Sequence, residues 1–294
     1  MANIIANHTI VSNYSDIPQE YIDKIKNRWL VAAGESHSGA YRNGPLTIYS
    51  EESSIYAVRI QIFGEPEGAT DQHIRISSGT WGDIDNSTGW IYSYGEDDWF
   101  TTDEAVLRTK DGITYCNTND LSIGAMGFGW CYDPGIDPGE DTSLYLNATQ
   151  EYVDYCSSLG YSTKIFFTTG TVDFYTGQIG YEQHQKYEQI RTYVNNSDNL
   201  ILFDYADILC YDNNGDVSIA TYGENEYPVI ATENLTPSLG SHISSIGEVR
   251  IGKALWWMMA KIEGWDDSND GSTNMLYLTL NNNLLTYNNK YIST

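Results

Sequence analysis

Strand-length apolar runs alternate with amphipathic helical stretches along most of the 294 residues, and that alternation leaves few folds open. Residues 29–33, 56–63, 73–79, 121–130, 164–168 and 200–203 read as strands. Residues 15–28, 142–159, 181–194 and 246–263 read as helices. In the first of these, Ser15 or Asp16 is placed as a cap and Pro18 suits the first turn. In the last, Ile251, Leu255, Met258 and Ile262 recur at helical spacing, and Gly264 is placed to stop it. Strands joined through helices of this length need right-handed crossovers and a mostly parallel sheet with both faces covered. The expected fold class is α/β, a three-layer α/β/α sandwich.

Three segments follow from composition. Residues 1–14 form a polar N-terminal arm, 15–265 the main domain, and 266–294 a polar linker followed by a small hairpin-like pair of apolar runs. Within the main domain, residues 80–119 have no clear period and are rich in Trp, Tyr, Gly and Asp. They read as a long excursion over the active face, with a short helix near 102–109.

Lys and Arg number 15 against 40 acidic residues, giving a formal charge of −25. A phosphate backbone or an anionic membrane surface would be repelled by such a field, so nucleic acid is excluded as a partner. No run approaches the roughly 20 apolar residues of a membrane helix, so membrane insertion is not expected. No basic-then-apolar leader opens the chain, and the composition favours an extracellular or virion-associated setting over the cytoplasm. The oligomeric state is left open. The four cysteines, Cys116, Cys131, Cys156 and Cys210, make no CxxC pair; Cys131 and Cys210 follow apolar runs and read as buried, and a Cys116–Cys131 disulfide stays open.

The chemistry-bearing candidate is where Trp29–Ala33 breaks off into Gly34-Glu35-Ser36-His37-Ser38-Gly39. A glycine after a buried strand permits a sharp turn, and a helix starting just beyond would favour developing negative charge. A serine hydroxyl needs a base, and His242, in a polar loop feeding the last helix, is the candidate. His37 is placed to line the pocket, whereas His8 and His184 read as surface residues. No HExxH or comparable ligand pair occurs, so neither a metal nor another cofactor is expected. The runs Asp212–Asp216 and Asp266–Gly271 have the oxygen density of calcium loops but lack the closing glutamate, and read as polar turns.

In these residues and their order the chain resembles the SGNH (GDSL-like) hydrolases, serine esterases and lipases with a flavodoxin-like α/β/α sheet. The resemblance runs from about Tyr21 to Trp265. Gly34-Glu35-Ser36 stands where the family has Gly-Asp-Ser, and Gly79 matches the oxyanion glycine after the next core strand. The Gly127-Phe128-Gly129-Trp130-Cys131 stretch holds the place of the third block without its asparagine. His242 fits the last block, but Leu239 occupies its aspartate position. The resemblance implies a serine esterase acting on an ester, with an acyl or acetyl group on a carbohydrate as the candidate substrate. Ser36 and His242 would be catalytic. Ser36, Gly79 and Gly129 would form the oxyanion hole, and His37, Trp81 and Trp130 would contact substrate. The missing acid and asparagine motivate an alternative, a catalytically degenerate glycan-binding or structural protein of a virion or secreted assembly. An α/β-hydrolase fits less well, because its nucleophile elbow follows several strands and ends in glycine where this chain has Ser38.

Overall fold

The computed structural model describes residues 2–33, 37–52, 54–61, 68–77, 80–81, 90–91, 101–121, 123–129, 142–170, 176–236, 243–267, 277–280 and 283–286. In chain order these form β1 (Ile4–Ala6), a 3-10 segment (His8–Asp16), α1 (Gln19–Lys26), β2 (Trp29–Ala33), α2 (Ala40–Glu52), β3 (Val58–Gln61) and β4 (Ile74–Ser77). The pair β5 (Thr80–Trp81) and β6 (Trp90–Ile91) precedes α3 (Asp103–Thr118), β7 (Ile123–Phe128) and α4 (Ser143–Ser158). Next come β8 (Lys164–Ile165), β9 (Phe167–Thr168), α5 (Gly177–Asn195), β10 (Ile201–Phe203) and α6 (Tyr205–Cys210). A hairpin of β11 (Ile219–Tyr222) and β12 (Asn225–Pro228) leads to α7 (Ser245–Ile262) and to a second hairpin, β13 (Tyr277–Leu280) with β14 (Asn283–Thr286).

Two parallel sheets carry the fold, in the orders β3-β4-β2-β7-β8 and β1-β10-β9. Only Phe166 separates β8 from β9, and its N–H reaches Met126 O at 3.0 Å, so the two sheets meet along one interrupted strand. The chain steps from β2 to β4 on one side and then returns to β7 on the other. That reversal places a topological switch point at the carboxyl ends of β2 and β7.

Side chains alternate across the sheet, as strand geometry requires. Leu30, Ala32, Ala125 and Phe166 pack with α1, α2, α6 and α7, while Val31, Met126 and Ile165 pack with α3, α4 and α5. The result is the expected three-layer α/β/α arrangement. Most predicted elements are present with shifted ends, the expected strand 164–168 is split at Phe166, α6 and the β11–β12 hairpin were not expected, and further regions differ. Ser15 and Asp16 belong to the 3-10 segment, so α1 starts only after Pro18. The polar arm contains β1, which pairs with β10. The expected short helix near 102–109 runs to Thr118 as α3 and covers the sheet, because Val106, Ile113 and Cys116 share its buried face. Helix α2, with Gly44-Pro45 inside it, has no counterpart in the sequence reading.

The layer on one side is drawn tight where α2 crosses α7. A Cβ on Gly44 would fall 1.9 Å from Glu248 O, and one on Gly252 would fall 2.5 Å from Gly44 C. Two glycines therefore let the helix backbones touch. Helix α7 ends as expected at Gly264, whose φ of +92° suits a residue without a Cβ; its N–H and that of Trp265 bond back to Lys261 O and Ala260 O.

Candidate active site

Because the sheet strands run parallel, their carboxyl ends share one edge. Ala33, ending β2, is level with Phe128, ending β7, and Gly129 follows directly and is buried. Val31 pairs with Ser77, the last residue of β4. Ser36, Gly79, Trp130 and His242 lie outside the described residues, as do Leu239 and Cys131. His37 opens the 3-10 turn His37–Gly39, and Trp81 pairs in register with Trp90 in β5 and β6.

The described residues do fix what brackets the two catalytic candidates. Past the segment that holds Ser36, Ser38 is fully buried and its Oγ accepts from Arg42 Nη1 at 3.2 Å in the first turn of α2. Past the segment that holds His242, Ile243 bridges back to Leu235, and Ser244 caps α7 by accepting from Gly247 N at 3.2 Å. At its other end α7 is tied by Glu263, which accepts from Arg28 Nε (2.7 Å) and Nη2 (3.0 Å), and Arg28 immediately precedes β2. Helix α7 thus runs antiparallel to β2, and its N-terminus faces the carboxyl edge. So does that of α2. The first turns of the two helices meet where Asn43 Nδ2 donates to Glu248 Oε1 at 2.8 Å. Burial raises the pKa of Glu248, against the Asn43 bond that lowers it. Two helix N-termini aimed at one edge give it a field that favours negative charge.

Further along the edge, beyond β9 and β10, lies a closed polar network. Tyr41 Oη is 3.0 Å from Thr168 Oγ1, and Thr168 N donates to Tyr145 Oη at 2.7 Å. Burial pushes the pKa of both tyrosines well above its ordinary value, so both stay protonated. Asp204 accepts from Thr169 Oγ1 (2.9 Å) and from Arg191 Nε (2.7 Å) and Nη2 (2.8 Å). Burial works against the charge of Arg191, but the Asp204 carboxylate outweighs it and the guanidinium pKa rises. With these donors in place Asp204 anchors α5 to β10.

His8 departs from the sequence reading. It opens the 3-10 segment after β1, its N–H and Nδ1 both meet Asp207 Oδ2 (2.8 and 2.5 Å), and its ring stacks on Tyr211 with centroids 3.4 Å apart. An imidazole held at Nδ1 by a carboxylate is two of the three members of a catalytic triad. In the strand order β1 stands four positions from β2, counted across the interrupted strand β8–β9, about 19 Å at a strand spacing of about 4.8 Å. The pairing was hidden because 199 residues separate its members; the cue at hand was Ile4-Ile5-Ala6, an apolar triplet before Asn7, which caps the segment.

Among the described residues no three His, Cys, Asp or Glu side chains converge as metal ligands, and no helix is long and apolar enough to cross a membrane. Cys156 and Cys210 are buried thiols; burial pushes Cys156 up to about 11 and Cys210 higher still. No protein-family model matches the chain, and no curated protein is significantly similar to it.

Proposed function

We propose that this chain is a serine esterase of the SGNH type, acting on an ester such as an acyl or acetyl group on a carbohydrate. One observation carries the reading. The segments that hold Ser36 and His242 both lead into helices whose N-termini meet, through Asn43 and Glu248, at the carboxyl edge beside the β2/β7 switch point. In this reading Ser36 Oγ attacks the carbonyl carbon while His242 takes its proton. The C–O bond to the alcohol then breaks and His242 gives the proton to the leaving oxygen; water, deprotonated by the same imidazole, next attacks the acyl-Ser36 carbonyl, and the carboxylic acid leaves as the proton returns to Ser36 Oγ. Backbone N–H groups of Ser36, Gly79 and Gly129 would hold the oxyanion, and the dipoles of α2 and α7 would add to the same field. His37, Trp81 and Trp130 would contact the substrate.

Ser36→Ala should abolish hydrolysis of p-nitrophenyl acetate while the melting temperature stays nearly unchanged. Turnover equal to the parent would end the esterase reading. A second reading is kept by Leu239, which stands where the family's acid would orient His242: the same fold could serve as a catalytically degenerate glycan-binding or structural protein. A fluorophosphonate probe separates the two, since only an activated Ser36 would be labelled.

A further inference from the structure

A groove lies away from the carboxyl edge. It follows the outer face of α5, has a volume of about 1120 Å³, and is walled by Leu146 of α4 and by the turn of the β11–β12 hairpin. Its floor is the helix face marked by Tyr181, Gln185, Glu188, Gln189, Thr192 and Asn196. That face is about 22 Å long at ~1.5 Å rise per residue. Such a shape suits an extended chain better than a compact ligand.

The lining narrows the chemistry. None of its described lining residues is a lysine or arginine. Arg191, on the same helix, is held by Asp204 and Glu188. A phosphate, sulfate or uronate chain would therefore meet carboxylates and find no counter-charge. Three glutamates are among its described lining residues: Glu188, which shares Arg191 with Asp204, Glu224 on the hairpin turn and Glu226 on β12. What remains is planar amide and ring surface. The Gln189 Oε1 already accepts from Thr142 N and Oγ1 (3.3 and 2.8 Å), so the carboxamide is oriented with its NH2 left to donate. Gln185 is exposed beside it.

The aromatic side chains are pre-positioned. Tyr181 packs on Tyr222 and Tyr227 with centroids 5.9 and 5.7 Å apart, and His184 stacks on Tyr227, whose hydroxyl donates to Gly177 O at 3.0 Å. Burial lowers the pKa of His184, so its ring is neutral near pH 7. Rigid rings beside oriented amides, with apolar and polar surface in similar measure, suit a ligand that carries both C–H faces and hydroxyl groups.

We infer that the α5 groove binds a linear, uncharged oligosaccharide, held by stacking at Tyr181 and by hydrogen bonds to Gln185 and Gln189. The site is separate from Ser36 and stands whether or not that serine is a nucleophile. The test is calorimetric titration of the full chain with cellohexaose, xylohexaose, mannohexaose and hexa-N-acetylchitohexaose, all uncharged, with hexalysine as the cationic competitor. At least one sugar should bind, and Gln185→Ala and Tyr181→Ala should each weaken it ten-fold or more. Gln185 is exposed, so its variant keeps the test sound if Tyr181→Ala disturbs the hairpin. No binding by any of the four sugars overturns the inference. So does binding that survives Gln185→Ala, or binding of hexalysine alone. Because no turnover is read, failure of the esterase reading leaves this outcome unaffected.

Discussion

The two helical layers are built on different principles. On one side α2 and α7 touch backbone to backbone at Gly44 and Gly252, and Trp256, Met258 and Met259 are fully buried. On the other, α5 buries Ile190 and Val194 against the sheet and turns a polar, aromatic face outward. Close packing leaves no room to move, so the first layer is suited to hold two helix N-termini at a fixed separation. The second layer depends instead on a buried charge pair, Asp204 with Arg191, and keeps its outer surface open. Precision at the edge and accessibility along α5 are thus assigned to opposite sides of one sheet.

The largest effect should come from breaking the charged tether. Asp204→Ala leaves the half-buried Arg191 with only the exposed Glu188, and should cost about 3 kcal/mol in urea unfolding. Replacing Arg191 by Leu in the same chain should recover part of that loss, because the stranded charge is gone. Gly252→Ala attacks the other layer. Its new Cβ has no space against Gly44 and Pro45, and a loss of about 3 kcal/mol is expected. If Gly252→Ala were neutral, the tight crossing would not be what holds the edge.

A smaller effect concerns both layers and is read by pH. Burial pushes Cys156 from its ordinary 9.0 to about 11, and raises Tyr41, Tyr145 and Tyr152 above 10.0. The folded state therefore keeps protons that the unfolded chain releases first. These groups leave stability unchanged below about pH 8, and should erode it from about pH 9 upward. A urea midpoint that stays flat from pH 7 to 11 would show that these side chains reach solvent.

Much of this arrangement was legible because it is local. Trp29–Ala33, Ile123–Phe128 and Ser245–Ile262 announce themselves by apolar runs or helical spacing, each confined to one short window. Helix α2 was not legible, since Gly44-Pro45 signals a break and only the contact with α7 rewards both residues. Strand β1 has three residues in a polar setting, and β10, its partner, lies nearly 200 positions away. The candidate site divides in the same way. Gly34-Glu35-Ser36 is a local cue and was read directly. The anchoring roles of Asp204 and Asp207 were not, because each depends on a residue brought up from another part of the chain.

Strand β1 has one more consequence, for the order of assembly. Ile4–Ala6 is synthesised well before Ile201–Phe203, and it has no ladder to join until those residues are made. The border of the sheet formed by β1 and β10 is therefore sealed late and over a long loop. Conditions that slow translation near residue 200 would lengthen the exposure of a sticky border, and chaperone demand should peak there.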